Sequence, residues 1–481
     1  MNDLIEAKNN AVVTINNITV ATGGTCLRLK NSAQVTLSEV TVRNCTRDNE
    51  GAGVKADAAT TLTISDSLFT DNTVTNDKEG GHIYTEGTLN VSNTDFINGH
   101  AGKAGAIWAD GATVDLDDCD FTDNDVDEDG GHIYLTGGAT LDMDGGSIVG
   151  DGTTINALDD AGGIYFNGGT HTIDNVSFTD LIAVDKAGAL RLTGDGTLTM
   201  SNNTLNGNMS SNGGHLYLES TFTDSGSTFT GGRSLGDGGA VYVASSPPTM
   251  SFTSSSFTDN ESLTDDGGAI YFGTSGTLSV VGVVFNDNDA ADNGGHIYLT
   301  GSATNSATIN SSSSFTLGDA EDGGAVYGGD NTTLTIENTS FTTNTASANG
   351  GAIRIDGGSL TMSANSFSGN SANAGGQIHA ETNITDAGST FASGTATNDG
   401  GAIRVTAGPA DLSFTNSTFS GNESETDDGG AIYYGTGGTL TVVGGTFSDN
   451  NAADNGGHIY FTGAATNSAN ISGNTSFSLG A

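Results

Sequence analysis

The chain contains the stretch GGHIY at residues 294–298, and close variants of it return at a fixed interval. GGHLY starts at Gly213, GGQIH at Gly375 and a second GGHIY at Gly456, so the starts lie 81 residues apart. A constant interval of this kind indicates an internal structural repeat rather than a set of separate globular cores.

The 81-residue interval contains three shorter repeats. Seventeen Gly-Gly, Ala-Gly or equivalent pairs precede short apolar runs, with a mean spacing of 27 residues. A second landmark, Phe-x-x-Asn, lies between these pairs, as in FTDN at Phe257 and FSGN at Phe367. Residues 267–298 and 429–460 are identical at 25 of 32 positions, which indicates internal duplication.

Within one repeat, apolar and polar residues alternate with the period of a β-strand. In GGAIRIDGG, Ile353 and Ile355 face one side of the predicted strand and Arg354 faces the other. GTLTVVGG at residues 438–445 predicts a second strand, and TNSTF, ending at Phe419, predicts a third. A single coil of this kind buries almost nothing, whereas stacked coils bury like residues on like residues.

These patterns predict an all-β fold, a right-handed parallel β-helix (solenoid) of about 17 coils of about 27 residues, with three strands per coil. The Asn of Phe-x-x-Asn is expected to stack as an amide ladder at a corner. We expect residues 1–481 to form a single continuous β-helix that is a fragment of a longer protein. Its internal super-repeats are residues 213–374 and, in part, 375–481.

Charge restricts the partners of the chain. The 57 acidic residues outnumber the 13 basic ones, for a formal net charge of −44. Nucleic acids and anionic membrane surfaces are therefore disfavoured, and no apolar run is long enough to insert into a membrane. Cys26, Cys45 and Cys119 are too few, and odd in number, for a disulfide scaffold, so we expect them to be repeat-filling residues.

The alternation of GGA(I/V) with FxxN resembles the repeat of the chlamydial polymorphic outer-membrane proteins and their relatives. Here it is carried by GGAIYF at Gly267, GGAVYG at Gly323, GGAIRI at Gly350, GGAIRV at Gly400 and GGAIYY at Gly429, together with the FxxN sites. The resemblance implies a surface-exposed β-helical passenger, often adhesive, exported through a C-terminal membrane barrel. The sequence departs from that pattern because it contains no barrel and often carries His in place of Ala in GGA.

The residue that follows the inward Ile of each first strand is predicted to face outward and to form a ladder of aromatic and basic side chains. We call this set the outward ladder, and its members are Tyr217, Tyr242, Tyr271, Tyr298, Tyr327, Arg354, Arg404, Tyr433 and Tyr460. Exposed aromatic rings bind sugars and proteins well. The alternative is that neighbouring rings stack on one another and only cover the sheet.

Histidine precedes the Ile-Tyr or Leu-Tyr pair in five repeats, at His82, His132, His215, His296 and His458. We expect these side chains to point outward, where they form hydrogen bonds between strands or simple surface. The last three lie three or six coils apart, so they cannot share a metal ion.

Acidic residues crowd the turn before Gly-Gly, and stacked carboxylates about 5 Å apart repel one another. Calcium, which takes six to eight oxygen ligands, would relieve the repulsion. The candidate calcium ligands are Asp265, Asp266, Asp292, Glu321, Asp322, Asp427, Asp428 and Asp454. The alternative is a solvated acidic ridge with diffuse counter-ions. No cofactor is required by this interpretation, and Ca²⁺ is the one candidate.

We therefore predict an extracellular or cell-surface β-helical repeat protein, an adhesin or passenger stalk that meets a cell-surface protein or glycan through a repeated exposed face. One alternative is a polysaccharide-binding or polysaccharide-degrading β-helix enzyme of the pectate-lyase kind, and a second is a purely structural spacer. We expect no enzymatic activity, because near-duplicate repeats are hard to reconcile with one catalytic centre.

Overall fold

The structure is a computed structural model that describes residues 3–244, 248–301, 304–462 and 467–479. The chain divides into two compact units, Met1–Ser234 and Leu235–Ala481. Each unit is a stack of coils, and the described residues form β-strands and turns with no α-helix. Equivalent strands of successive coils pair in parallel with like residues in register, which confirms the predicted parallel β-solenoid. The prediction of one continuous helix through both units stays a prediction.

A coil contains three strands, as predicted, and most coils add a short fourth one. The first strand has three or four residues, the second has four to six, and the third has three. The fourth is usually a two-residue bridge. Each unit has nine first strands among its described residues, one of which, Ile5–Ala7, precedes the first Gly-Gly pair.

In the unit Met1–Ser234 the first strands are Ile5–Ala7, Leu27–Leu29, Val54–Ala56, Ile83–Thr85, Ile107–Asp110, Ile133–Thr136, Ile164–Asn167, Leu190–Thr193 and Leu216–Leu218. The second strands are Val12–Asn16, Gln34–Ser38, Thr61–Ser65, Thr88–Ser92, Thr170–Asp174, Thr197–Ser201 and Thr221–Ser225. The third strands are Thr19–Ala21, Thr41–Arg43, Leu68–Thr70, Asp95–Ile97, Ser177–Thr179, Thr204–Asn206 and Thr228–Thr230. Two coils fuse the second and third strands into Thr113–Thr122 and Thr140–Val149. The fourth strands are Thr46–Arg47, Thr73–Val74, His100–Ala101, Asp125–Val126, Met209–Ser210 and Arg233–Ser234.

In the unit Leu235–Ala481 the first strands are Val241–Val243, Ile270–Phe272, Ile297–Leu299, Val326–Gly328, Ile353–Ile355, Ile378–Ala380, Ile403–Val405, Ile432–Tyr434 and Ile459–Phe461. The second strands are Thr249–Thr253, Thr277–Val281, Asn305–Asn310, Thr332–Glu337, Ser359–Ser363, Asn383–Ala387, Leu412–Thr415, Gly438–Val443 and Asn467–Ser472. The third strands are Ser256–Thr258, Val284–Asn286, Ser314–Thr316, Ser340–Thr342, Ser366–Ser368, Thr390–Ala392, Thr418–Ser420, Thr446–Ser448 and Ser476–Ser478. The fourth strands are Glu261–Ser262, Asp289–Ala290, Asp319–Asp322, Thr345–Asn349, Ser371–Ala372, Thr395–Ala396, Glu423–Ser424 and Asn451–Ala452.

The two glycines of the Gly-Gly corner are required for two different structural reasons. Gly294 has a φ of +66°, a conformation that residues with a side chain rarely adopt. Gly295 approaches the next coil so closely that a Cβ atom would lie 2.3 Å from the carbonyl oxygen of Gly324. The first Gly is therefore needed for its backbone angle and the second for the tight contact between coils.

The core consists of columns of identical apolar side chains. The phenylalanines of Phe-x-x-Asn are fully buried, and neighbouring rings stack, with centroids 4.7 Å apart between Phe341 and Phe367 and 5.0 Å apart between Phe367 and Phe391. Each such ring contributes about 1.5–3 kcal/mol through burial. The alternation seen in the sequence thus places one residue of every pair in the core and the next on the surface.

Candidate functional site

The outward ladder lies on the middle residues of the first strands, as the sequence predicts. In the second unit, Tyr271 stacks on Tyr242 and on Tyr298, with centroid distances of 4.7 and 5.2 Å. Tyr298 in turn stacks on Tyr327 at 5.0 Å, and Tyr433 lies 5.6 Å from Tyr460 with tilted planes. The ring faces are therefore occupied by neighbouring rings, and what reaches solvent is ring edges and hydroxyl groups.

Burial reinforces this arrangement. Tyr217, in the first unit, is only 8% exposed, and the ladder tyrosines of the second unit are half-buried. Burial raises the pKa of Tyr298 to about 12, and Tyr327 donates a hydrogen bond to Asp356. A partner would meet hydroxyl groups and ring edges here, and stacking of a sugar ring on these tyrosines would have to displace a neighbour.

The basic members of the ladder are bound by acidic neighbours. Arg354 forms an ion pair with Asp356 and another with Glu381, at 2.8 Å in the second case. Arg404 pairs with Asp399 at 3.3 Å. These guanidinium groups are therefore already neutralised before any anionic partner arrives.

The first unit carries its own aromatic stack on the same strands. Trp108 lies 4.4 Å from Tyr134, and Tyr134 lies 4.5 Å from Tyr165, in each case with nearly parallel rings. The stack is capped by Arg191, whose guanidinium lies 5.0 Å from the centroid of Tyr165. A cation over a ring face is favourable by about 0.5–2 kcal/mol, so this arrangement stabilises the sheet surface.

The expectation that the histidines face outward is wrong. His82, His132, His215 and His296 are fully buried, and His458, in the last described coil, is half-buried. Burial lowers the pKa of His82, His132 and His296 to about 3, so these rings are neutral at physiological pH. The side chain before the inward Ile lies at the Gly-Gly corner, where the strand alternation has not yet begun.

Each of these five histidines bonds to an asparagine of the coil before it. The Nδ2 atom of Asn288 donates to Nδ1 of His296 at 3.0 Å, and Nε2 of His296 lies 3.1 Å from Oδ1 of Asn344. His296 thus bridges the coil before it and the coil after it. Where two asparagines are adjacent they bond directly, as Asn344 does with Asn370 at 2.9 Å. The predicted amide ladder is confirmed, and the histidines fill its gaps.

A size rule links two positions of one coil, which we call the corner pair: the residue after Gly-Gly and the last residue of Phe-x-x-Asn or its equivalent. Where the first position is Ala the second is Asn, and where the first is His or Gln the second is Gly, except in the coil of His132, which carries Asp151 there. A Cβ atom on Gly318 would lie 2.7 Å from His296, and one on Gly394 would lie 2.7 Å from Gln377. Examples of the pairs are Ala240/Asn260, Ala269/Asn288, His296/Gly318, Ala325/Asn344, Gln377/Gly394 and Ala402/Asn422, whereas Gly163/Leu181 follows neither combination.

The expectation that the cysteines only fill repeat positions is wrong for two of them. Cys26 and Cys45 form a disulfide, with their Cα atoms 5.9 Å apart, and both are fully buried. The two residues occupy the corner pair of their coil, so that a covalent bond replaces the Ala/Asn or His/Gly combination. Cys119 is free and buried.

The predicted calcium ligands lie along the turn before Gly-Gly, where three of the acids pair with an asparagine of the next coil. Asp266 accepts hydrogen bonds from the backbone and side chain of Asn293, and Asp322 does so from Asn349. Asp428 repeats the pattern with Asn455. Of the remaining five carboxylates, Asp427 is half-buried and the other four are exposed: Asp265, Asp292, Glu321 and Asp454. Calcium binding stays a prediction.

A different group of acids comes closest to metal-ligand geometry. Asp129, Asp159 and Asp160 bring carboxylate oxygens within 4.8 Å of one another, in a search limited to the described residues. Lys103 pairs with Asp129 at 2.7 Å, and Arg191 pairs with Asp160. The cationic side chains already occupy the positions that a cation would take.

The second and third strands of the second unit form a surface that sequence reasoning missed. Their outward positions are mostly Ser and Thr, and we call this surface the hydroxyl face. Its central column comprises Ser251, Ser279, Thr308, Thr335, Thr361, Thr385, Ser413 and Thr441. The signal is present in the sequence as the alternation TLTV, in which every second residue carries a hydroxyl group.

Comparison with known proteins agrees with the fold. A family model described as a right handed beta helix region matches residues 3–162. The chain is a β-helical repeat protein. No curated protein and no solved structure gives a significant match to it. Among the described residues, no helix reaches the length and apolar character that crossing a bilayer would need.

Proposed function

We propose that this β-helical repeat protein is displayed at the cell surface or secreted, and acts as an adhesin or passenger stalk through a repeated exposed face. The observation that carries the proposal is the register of the coils. Tyr271 pairs with Tyr298 and Tyr298 pairs with Tyr327, so that equivalent side chains recur once per coil along one face. A regular array of weak contacts gains strength through multivalency.

The disulfide supports an extracellular location. Disulfides persist in oxidising compartments such as the cell surface and are rare in the cytosol. The Cys26–Cys45 bond is fully buried and occupies a corner pair. A covalent link built into the core supports a protein that folds and functions outside the reducing cytosol.

A non-enzymatic role is part of the proposal. The basic candidates for a catalytic site, Arg354 and Arg404, are held in ion pairs with Asp356, Glu381 and Asp399. Near-identical coils also repeat the same side chains many times, which suits repeated binding better than one reaction centre. The polysaccharide-active alternative predicts release of reducing ends or unsaturated sugars from a polysaccharide panel.

Adhesion is tested with the whole chain coupled to beads. We expect these beads to be retained on cells or immobilised glycans under flow, and beads carrying the Tyr271→Ser/Tyr298→Ser/Tyr327→Ser variant to be retained less if the outward ladder is the contact. Circular dichroism must show that the variant is folded, because the rings stack. Retention no better than that of uncoated beads on every surface would refute the adhesive role and favour the spacer.

Calcium is proposed as an optional ligand and has its own test. If ions bridge the acidic turn, a chelator lowers the melting temperature of the protein, and Asp322→Asn reduces that shift. An unchanged melting temperature in low salt would leave the turn as a solvated acidic ridge.

A further inference from the structure

The hydroxyl face is almost free of charge in a strongly acidic unit. Residues 235–481 contain 24 acidic and two basic residues. Among the described residues of the second and third strands in this unit, Glu337 is the one charged side chain that faces outward, since Asp386 is buried. The acids lie at the turns and on the fourth strands instead. The unit therefore has one neutral face bordered by carboxylates.

The same strands of the first unit differ. There the outward positions include Asp115, Asp117, Asp142, Asp144 and Asp174, in adjacent coils. Neutrality is thus not a consequence of the fold, because the same architecture accepts acids at these positions.

The hydroxyl groups in the central column of this face are available for bonding. Thr308, Thr335 and Thr361 are consecutive partners in the parallel register. Within the described part of the chain, the central column from Ser279 to Thr441 forms no side-chain hydrogen bond. Ser and Thr hydroxyls both donate and accept, so an array of them is complementary to a second copy of itself.

Spacing and area also suit a second copy. Hydroxyls recur about every 4.8 Å along the stack and about every 6.6 Å along a strand. A second copy has the same spacing, so its rows stay in register over many coils. Nine coils of second strands offer about 700 Å² per copy, and the third strands raise this to about 1,100 Å², from the same spacings. A standard stable interface uses about 800 Å² per partner.

We propose that the hydroxyl face of residues 249–478 is where two copies of this chain associate, related by a two-fold axis. The inference rests on the adhesive function proposed above and names its partner as the protein itself, on a neighbouring cell or molecule. An isologous contact lets each Ser or Thr row meet its counterpart. The neutral face keeps the carboxylates of the two copies at the margins, where salt screens their repulsion.

Sedimentation of the full chain over a wide range of concentrations tests the proposal. We expect a monomer–dimer equilibrium that becomes tighter as salt is raised, because screening reduces the repulsion between two chains of charge −44. Thr308→Asp/Thr361→Asp/Ser413→Asp places carboxylates in every second coil and is expected to weaken association about 100-fold, as like charges do at an interface. The matched control, Thr345→Asp/Ser347→Asp/Thr397→Asp, adds the same charge on the fourth-strand side and is expected to associate as the wild type does.

Three outcomes would overturn the inference. The first is a wild type that stays monomeric at every protein and salt concentration. The second is an equal weakening of association by the face variant and the control variant. The third is a face that binds a neutral glycan while the protein remains monomeric. Bead retention on cells that lack the protein is scored separately. An adhesin that binds such cells without self-association would keep the proposed function and refute only the proposed partner.

Discussion

Replacing His296 by Gln is expected to destabilise the protein at neutral pH and to stabilise it at pH 5. The chain itself places Gln377 at the equivalent position, where it accepts a hydrogen bond from Asn370, so Gln fits the corner. At pH 7 the loss of one well-placed ring and its bond to Asn344 is expected to cost about 1 kcal/mol.

Acid reverses the order because the buried ring resists protonation. Burial lowers the pKa of His296 to about 3 in the folded state, against 6.5 for an unperturbed imidazole. Between these values the unfolded chain binds the extra proton, so the stability present above pH 6.5 falls by about 1.4 kcal/mol per pH unit. At pH 5 the free energy of unfolding of the wild type is therefore lower by about 2 kcal/mol because of this residue, whereas the Gln variant has no group here that titrates. The His296→Gln variant should then be the more stable protein by about 1 kcal/mol.

Urea unfolding followed by far-UV circular dichroism at pH 7, 6 and 5 measures the difference. Only one titrating group distinguishes the two proteins, so other pH effects cancel. His296→Ala is the packing control: it should lose about 3–5 kcal/mol at pH 7 through the cavity and share the pH trend of Gln. A constant difference between wild type and His296→Gln at all three pH values would mean that the ring titrates normally and is not held between two asparagines.

The remaining predictions concern the disulfide, one acidic column and the outward ladder. Cys26→Ala/Cys45→Ala should lower the free energy of unfolding by about 3 kcal/mol, and Cys26→Ala/Cys45→Asn, which restores the common corner pair, should lose less in the same urea titration. Asp289→Asn should raise the melting temperature at pH 7. Burial, and then repulsion from Asp319, raise the pKa of Asp289 from 3.8 to about 6. The protonated carboxyl group therefore favours the folded state below pH 3.8, and this contribution to stability is lost as the pH rises through 6. That gain should vanish at pH 4, and a gain of equal size there would contradict the argument. Tyr298→Ser should lower stability by about 1–3 kcal/mol through two lost ring contacts, and an unchanged melting temperature would show that the rings do not support each other.

The solenoid was predictable because the same order of Gly-Gly pair, alternating apolar residues and Phe-x-x-Asn recurs along the sequence. Each residue equivalent to Ile353 follows a Gly-Gly corner, and each residue equivalent to Phe367 begins the Phe-x-x-Asn landmark of the same coil. Period-two alternation then assigns each strand side chain to the core or to the surface. The ring stacking of the outward ladder was likewise available as an alternative from register alone.

The buried corner was not predictable by alternation. His296 lies directly after Gly295, where the chain turns, so its direction is set by the corner and not by the strand that follows. The covariation of His with Gly318 and of Ala with Asn did mark it, since the two residues change together between coils. The pairing of Cys26 with Cys45 follows the same rule and was hidden by their 19-residue separation. The hydroxyl face escaped notice because no single Ser or Thr distinguishes it.

The bridging role of His296 limits how such a chain can lengthen. The ring needs a donor from the coil before, a Gly in its own coil and an acceptor from the coil after. A coil that carries a histidine therefore cannot be copied next to itself, because each of two adjacent histidines would lose an asparagine partner. A coil with the Ala/Asn corner pair can be copied singly, because its Asn bonds directly to the Asn of the next coil, as Asn344 does to Asn370. Growth in length is thus expected to occur at Ala/Asn coils, while the coils on both sides of a histidine keep their asparagines.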